Sequence, residues 1–505
     1  MLPGLAFWDT AELQAVGPLM GTAHPSGFPT YALLGWLASV LLQPFGEPAF
    51  RMNLLAGLCV AAAAAVTVGL VRTLTRSAVP GVLAGLGLTL TPVAWSIGTH
   101  AEAHALHLVM LAALLWLLVA WEARARGASA GPADRYLVAA AVVFGLSVGN
   151  HSLTLLLALP VALFVLAVEP RLWQHGRLIG LCVGAFVATV VLVYLELPIR
   201  AGPFRAALVY GHPETWDGFW YVALGEQFRS NVVDPFGDLP AKLGSLVDRS
   251  VTQFGFLAPL LPLAFAATVF RQPRYALLTG SAVLIACLFA ASYVNADIGR
   301  YYLGPVLIAW TWVAILAALV AKGSVQAFDW LSGRISADDP GSSAGPPGSQ
   351  PAAKRHVRGP HPALAAGLFL VLLAPVVLAA PDRFAGLDES HDRSAALWVD
   401  HALSRMEPGA VLVSWWSYST PLWYAQRVEG RRPDLVIVDD RTRLDEGLGD
   451  ITDVIDAHLG RDPVYVIRDD AGEIEMLATR YELELIDGPD ARSLTRVIGL
   501  RGVGS

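Results

Sequence analysis

A chain of 505 residues that is 55% hydrophobic and only 15% charged falls well short of the roughly 25% charge of a soluble domain; this excludes a single water-soluble globule and indicates a polytopic membrane protein. The net charge of −7 averages a slightly basic apolar part and an acidic stretch after Pro381, and neither holds a basic patch for nucleic acid. The three cysteines, Cys59, Cys182 and Cys287, lie in apolar runs, which excludes a disulfide framework and metal-type spacing.

The first predicted element is a helix opening at Phe7-Trp8-Asp9-Thr10-Ala11-Glu12. Asp9 and Glu12, three apart, share a helix face. They read either as a base and its helper for deprotonating a hydroxyl or as a capping box with Asp9 as N-cap. In His24-Pro25-Ser26-Gly27-Phe28-Pro29, two prolines and a glycine predict a rigid turn. That turn holds His24 and Tyr31 beside the carboxylates, or is a plain helix break at the membrane surface. Residues 30–42 are apolar but short, and are placed as a helix along the interface.

Ten spans follow, at 52–71, 79–97, 103–121, 136–148, 152–168, 178–195, 254–270, 275–293, 303–321 and 363–380. Short loops rich in arginine stay cytoplasmic. The clusters Arg72/Arg76, Arg124/Arg126/Arg135, Arg171/Arg177, Arg271/Arg274 and 322–358 all fall on one side of this arrangement. Asp9, Glu12, His24, His100, Glu102, His104, His151, Arg200 and Arg300 then share the opposite, extracytoplasmic side. Ionisable groups so close to a bilayer default to a functional role. This topology starts the chain outside, so either a further inward-to-outward helix is expected upstream of Met1, or the protein inserts with its N-terminus out.

His100, Glu102 and His104 are expected to line the outer mouth and bind a phosphate or sugar, with His107 deeper; no metal is required there. His151, Arg200, Arg300, Tyr301 and Tyr302 end other spans. An arginine fork at the lipid boundary suits a phosphate, or it anchors the interface alongside tyrosine. Trp216, Trp220, Trp415, Trp416, Trp423 and Tyr424 are candidates for stacking on sugars, but are read here as interfacial or core aromatics.

Residues 323–361, rich in Gly, Ser and Pro, form a disordered cytoplasmic linker, and 362–380 is the last span. From 381 to 505 the pattern changes. Short apolar runs at 410–414, 435–438 and 464–467 alternate with helical patterns at 420–428, 451–459 and 473–481. Such alternation indicates a small parallel α/β domain outside the membrane. Overall the fold class is a mainly α, polytopic helical bundle occupying 1–322, followed by linker, last helix and α/β domain.

The motif order resembles a bacterial family within the GT-C superfamily of membrane glycosyltransferases, one grouped with protein O-mannosyltransferases. Members read Asp-Ser-Gly-Glu, then His-Pro-Pro-Gly-x-Pro-x-Tyr, then Arg-x-Asn-Leu. Here the matching residues are Asp9-Thr10-Ala11-Glu12, His24 through Tyr31, and Arg51-Met52-Asn53-Leu54, with Ala11 and Ser26 as mild departures. Ala101-Glu102, Gly149-Asn150-His151, Leu197-Pro198-Ile199-Arg200 and Thr215-Trp216 extend the likeness over roughly residues 5–300. The resemblance implies a polyprenyl-phosphate sugar as donor and no cofactor. The acceptor hydroxyl, on protein Ser/Thr or on a glycan or lipid, attacks with inversion. Asp9 is the implied base, with Glu12 assisting. Arg200, His24 or Arg300 would stabilise the leaving phosphate. A transporter or flippase is the alternative. It would favour internal repeats and polar groups at mid-bilayer, whereas this chain has no internal repeat and gathers its polar groups at one mouth. A membrane scaffold presenting the α/β domain leaves the carboxylates unexplained.

Overall fold

The computed structural model describes residues 1–126, 133–337, 362–486 and 494–502. The helices before the soluble part are α1 (Trp8–Leu19), α2 (Pro29–Leu41), α3 (Pro48–Thr75), α4 (Ala78–Thr89), α5 (Pro92–Ile97), α6 (Ala103–Ala125), α7 (Asp134–Asn150), α8 (Ala158–Val168), α9 (Gly176–Tyr194), α10 (Glu196–Ala201), α11 (Trp216–Ala223), α12 (Leu239–Phe254), α13 (Leu261–Arg271), α14 (Pro273–Ala290), α15 (Leu303–Ala337), α16 (Pro362–Leu378) and α17 (Ala380–Leu387). Seven helical stretches among the described residues are long and apolar enough to cross a membrane, so the chain is a multi-pass membrane protein.

Three of the ten expected spans are not among these seven. The span at 79–97 is two helices, because Thr91 precedes Pro92 and takes an extended conformation that ends α4. The pair at 136–148 and 152–168 is indeed two elements, but the second opens as a 3-10 turn over Ser152–Leu157. The linker also begins later than expected, since α15 runs on to Ala337; the rest of it, 338–361, lies outside the described residues.

Burial orders the bundle. The apolar stretch of Ala103–Ala125 is 72% buried and that of Ile298–Ser324 67%, whereas Gly176–Ala201 is 11% buried. Helices α6 and α15 are therefore central, and α9 faces lipid. With no water to drive apolar helices together, close backbone approach and polar pins hold the packing. A Cβ on Gly81 would lie 2.7 Å from the Val68 carbonyl oxygen, and one on Gly85 3.0 Å from that of Ala64, so α4 rests directly on the α3 backbone.

The Arg-x-Asn-Leu motif is such a pin. Asn53, fully buried on α3, donates to the carbonyls of Leu2 (3.0 Å) and Gly4 (3.1 Å). Its own oxygen accepts from Ala101 N and from Gln14, both at 2.8 Å. Arg51 donates to the carbonyls of Gly46 and Ser39, fastening the end of α2. Asn150 likewise donates to the Ala103 carbonyl at 3.0 Å.

The soluble part comprises α18 (Ser394–Arg405), β1 (Val411–Ser414), α19 (Trp416–Arg427), β2 (Val436–Asp439), α20 (Asp440–Asp445), α21 (Ile451–His458), β3 (Val464–Ile467), α22 (Ala471–Arg480), β4 (Tyr481–Leu485) and β5 (Thr495–Leu500). Its five-stranded sheet has the order β2-β1-β3-β5-β4. The three strands read from the sequence pair in parallel, and β5 and β4 add two antiparallel strands that the apolar pattern did not reveal. Strand β4 carries Glu482 and Glu484 and is mostly exposed, so it lacks an apolar run.

This sheet is docked on the bundle. Thr420 on α19 donates to the Trp8 carbonyl at 2.9 Å, and the Tyr424 hydroxyl accepts from Ala49 N at 2.9 Å. The Phe7 ring meets Trp398 and Tyr418 edge-on at 5.5 and 6.2 Å. The carboxyl ends of the parallel strands, where α/β sheets place their ligands, thereby face the mouth of the helices.

Candidate active site

A cavity of about 460 Å³ opens between the bundle and the docked sheet. Asp9, His24, Glu102, His104, His151 and Arg300 line it, contributed by five separate segments. The polar groups scattered along the chain thus converge at one end.

The capping-box reading of the first helix does not hold. Phe7 is the N-cap and no side chain caps α1. Asp9 instead points to the cavity and pairs with Arg300 at 2.9 Å. The second fork of Arg300 holds Glu102 at 3.2 Å. Arg300 reaches both because it sits on the 3-10 turn Ile298–Tyr302 at the head of α15. Glu102 caps α6, accepting from His104 N, and also takes the His104 ring Nδ1 at 2.8 Å. Burial opposes charge on Glu102, but Arg300 and His104 outweigh it and hold the carboxyl well below its usual range. With Nδ1 engaged, His104 Nε2 is buried and has no partner among the described residues.

Glu12 does not line the cavity. It is fully buried behind His24, accepting from the His24 amide at 2.8 Å and gripping its ring Nδ1. The turn makes this possible. Gly27 adopts φ +78°, and a Cβ there would meet Val222 at 2.9 Å. The Gly27 amide closes the turn onto the His24 carbonyl at 2.8 Å. Burial disfavours the charged imidazole, yet Glu12 and then Asp9 raise the His24 pKa above its ordinary value. Glu12 therefore holds His24 and does not itself face the cavity.

Three other expected site residues lie elsewhere. Arg200 spends its guanidinium on the carbonyls of Met20 (2.8 Å) and Leu19 (3.0 Å), closing the C-terminal end of α1. A helix end leaves carbonyls unpaired, and a nearby arginine is a good partner for them. Tyr31 is 2% exposed and its hydroxyl faces the Leu13 carbonyl at 3.4 Å, so it is core. His100 turns away to Glu389 at 3.3 Å and Thr99 at 3.2 Å, linking the bundle to the start of the soluble part.

The soluble part supplies a wall that the sequence reading assigned to structure. Trp415 and Trp416, directly after β1, line the cavity, with Trp416 edge-on to His24 at 5.7 Å. Asp440 and Arg441, directly after β2, line it as well. Arg468, after β3, is buried against Trp415 and ties Asp440 at 3.0 Å and Glu473 at 2.7 Å. Tyr210 and Arg229 come from the long outer segment. The rule that ligands sit at the carboxyl ends of parallel strands points to the residues after 414 and 439. By contrast Trp423 and Tyr424 are core, 3% and 1% exposed, and Trp216 is 74% exposed away from the cavity. Among the described residues no group of three His, Cys, Asp or Glu side chains is arranged to hold a metal ion.

Comparison with known proteins agrees with the motif order. Residues 9–175 match the family described as "Protein O-mannosyl-transferase TMEM260 N-terminal domain". Protein O-mannosyl-transferase TMEM260 of Mus musculus is 30% identical over 341 residues, which cover 63% of this chain and 46% of that protein. Its Dictyostelium discoideum counterpart is 23% identical over 279 residues, 52% of this chain and 33% of that protein. The chain thus spans less than half the length of the curated relatives it matches. Among solved structures, ArnT from Cupriavidus metallidurans bound to undecaprenyl phosphate superposes with a TM-score of 0.56 at 14% identity, covering 98% of this chain and 94% of that one. The Archaeoglobus fulgidus oligosaccharyltransferase in complex with Zn and sulfate gives 0.53 at 13% identity, covering 93% and 64%. The fold is that of the GT-C glycosyltransferases, and the resemblance to the superfamily's O-mannosyltransferase branch is borne out.

Proposed function

We propose that this GT-C-fold chain transfers a sugar, mannose by analogy with its named relatives, from a polyprenyl phosphate to a protein hydroxyl at the extracytoplasmic face. The observation that carries the reading is the convergence of Asp9, His24, His104 and Arg300 on one cavity, open between membrane helices and a water-exposed domain. Donor and acceptor differ in phase, one lipid-borne and one aqueous, and such a boundary is where they can meet. An apolar groove of about 860 Å³ along α12–α15 ends at Tyr302, two residues past Arg300, and suits the polyprenyl chain. In this reading the α/β domain lies on the extracytoplasmic side with the cavity it roofs.

In the reaction, the acceptor oxygen attacks the anomeric carbon as its proton passes to Asp9. The carbon–oxygen bond to phosphate breaks with inversion, and the lipid phosphate leaves with the electron pair. Arg300 and the charged ring of His24 stabilise the developing charge. In the resting site Arg300 is shared by two carboxylates. A phosphate drawing on the same guanidinium loosens the Asp9 pair and frees the carboxylate to meet the acceptor hydroxyl. His104, oriented by Glu102, presents Nε2 to the sugar or phosphate. Side chains suffice to neutralise a monophosphate, so no metal is invoked.

The test is transfer from a labelled polyprenyl-phosphate mannose to a Ser/Thr peptide in proteoliposomes. General-base catalysis is worth about 10²–10⁴-fold, so Asp9→Asn should lose at least about 100-fold while still binding donor. Equal transfer by wild type and variant removes Asp9 from this role.

A further inference from the structure

Beside the central cavity lies a second, polar pocket of about 330 Å³, between outer residues 205–212 and helices α19 and α20. Tyr210 and Arg441 line both spaces, so one pair of side chains partitions them. Arg441 donates to the Tyr210 hydroxyl at 3.0 Å and to the Tyr221 hydroxyl at 3.1 Å.

The outer segment is fastened from its flanks. The Leu208 carbonyl accepts from Thr22 N at 3.0 Å, and that of Ala207 from Arg427. Gly211 N donates to Asp445 at 3.1 Å, and His212 sits between Glu214 and Glu446. These bonds leave the main-chain amide and carbonyl groups of Val209 and Tyr210 without a partner among the described residues, although Tyr210 is only 4% exposed. Main-chain groups in such surroundings call for partners.

We propose that this pocket receives the acceptor as an extended polypeptide, which pairs its own backbone with Val209 and Tyr210 and passes a Ser or Thr hydroxyl beyond the Tyr210–Arg441 partition toward Asp9. An extended peptide carries main-chain donors and acceptors along its whole length, the kind of partner these groups lack. Arg205 and Arg427 set against Asp445 and Glu446 give the lining the mixed charge of a peptide surface. A glycan fits less well. The pocket's Trp423 is 3% exposed and Tyr210 hardly more, which leaves little aromatic face for a sugar ring. The assignment of this peptide as acceptor rests on the transferase reading above; the binding itself does not.

Blocking the pocket tests it. A fluorescent Ser/Thr peptide is titrated by polarisation into the full chain in nanodiscs, and sugar transfer is measured in parallel. The variants are Ala207→Trp, at an exposed position on the pocket rim, and Ala207→Cys, purified and then labelled with a bulky maleimide. The labelled and unlabelled forms of the latter compare the same folded protein, with the wild type given the same maleimide as control. Peptide Kd should rise at least tenfold on blocking, with binding of labelled polyprenyl phosphate unchanged. Unaltered peptide affinity after blocking, or no peptide binding by the wild type, overturns the pocket's role. Block-sensitive binding without sugar transfer sustains the pocket and overturns the transferase reading instead.

Discussion

Arg300 and His24 carry the positive charge beside Asp9, and they are held in different ways. Arg300 is gripped by two carboxylates, whereas His24 depends on Glu12 alone for its strongest favourable contact. Burial disfavours the His24 charge, and Glu12, followed by Asp9, more than restores it, so the ring titrates above its ordinary 6.5. The charge and its contribution are fully present below that ordinary value and fade as pH rises through the raised one. Glu12→Gln should therefore move the alkaline limb of the transfer profile to lower pH, read as initial rate from pH 5.5 to 9 at saturating donor. A limb that stays in place separates His24 from catalysis. Much of this residue-level arrangement was legible in the sequence. Asp9, His24, Glu102, His104, His151 and Arg300 all reach the cavity, because ionisable groups at the ends of apolar spans have few other affordable places. Arg200 and Tyr31 were misread for the same reason, since a helix end or a core hydroxyl also accepts a polar side chain. Spacing alone does not separate these uses.

At the scale of elements, packing tolerances are set by small residues facing rigid ones. A Cβ on Gly87 of α4 would lie 2.5 Å from the ring of Trp310, which is wholly buried on α15. The indole cannot retreat as a flexible methionine would. Overpacking of this kind costs about 1–3 kcal/mol, so Gly87→Ala should lower the detergent-solubilised melting temperature by several degrees. By contrast Gly244→Ala on α12, with nothing within 4 Å of the added carbon, should not lower it and should raise it slightly, since alanine is the better helix former. The order of the long helices could be read from apolar run length. Their breaks, as at Thr91-Pro92, follow from local chemistry that was also in view. The antiparallel strands β4 and β5 escaped because an exposed edge with alternating glutamates carries no apolar run.

For the molecule as a whole, the positive-inside reading of the basic loops predicts that the long segment 196–253 and the C-terminal domain share one side. Asp217→Cys and Ser390→Cys, both exposed, should react with a membrane-impermeant maleimide from the same face of intact spheroplasts. Gln174→Cys, in the Arg171/Arg177 loop and exposed, should react only after permeabilisation. Labelling of 174 with the other two reverses the topology. The participation of the soluble domain in the cavity was not foreseen, since nothing in its sequence announces contact with residues four hundred positions away, as Thr420 makes with Trp8. Asn53 has a related long-range effect. It clamps the chain start, Gln14 on the helix that carries Asp9, and the backbone next to Glu102 with one amide. The gap between those two acids is thus fixed by a bolt on a third helix, like the throat of a caliper locked before anything is measured. Arg300 bridges a span whose two backbone anchors share that bolt, so Asn53→Ala should loosen both acids at once.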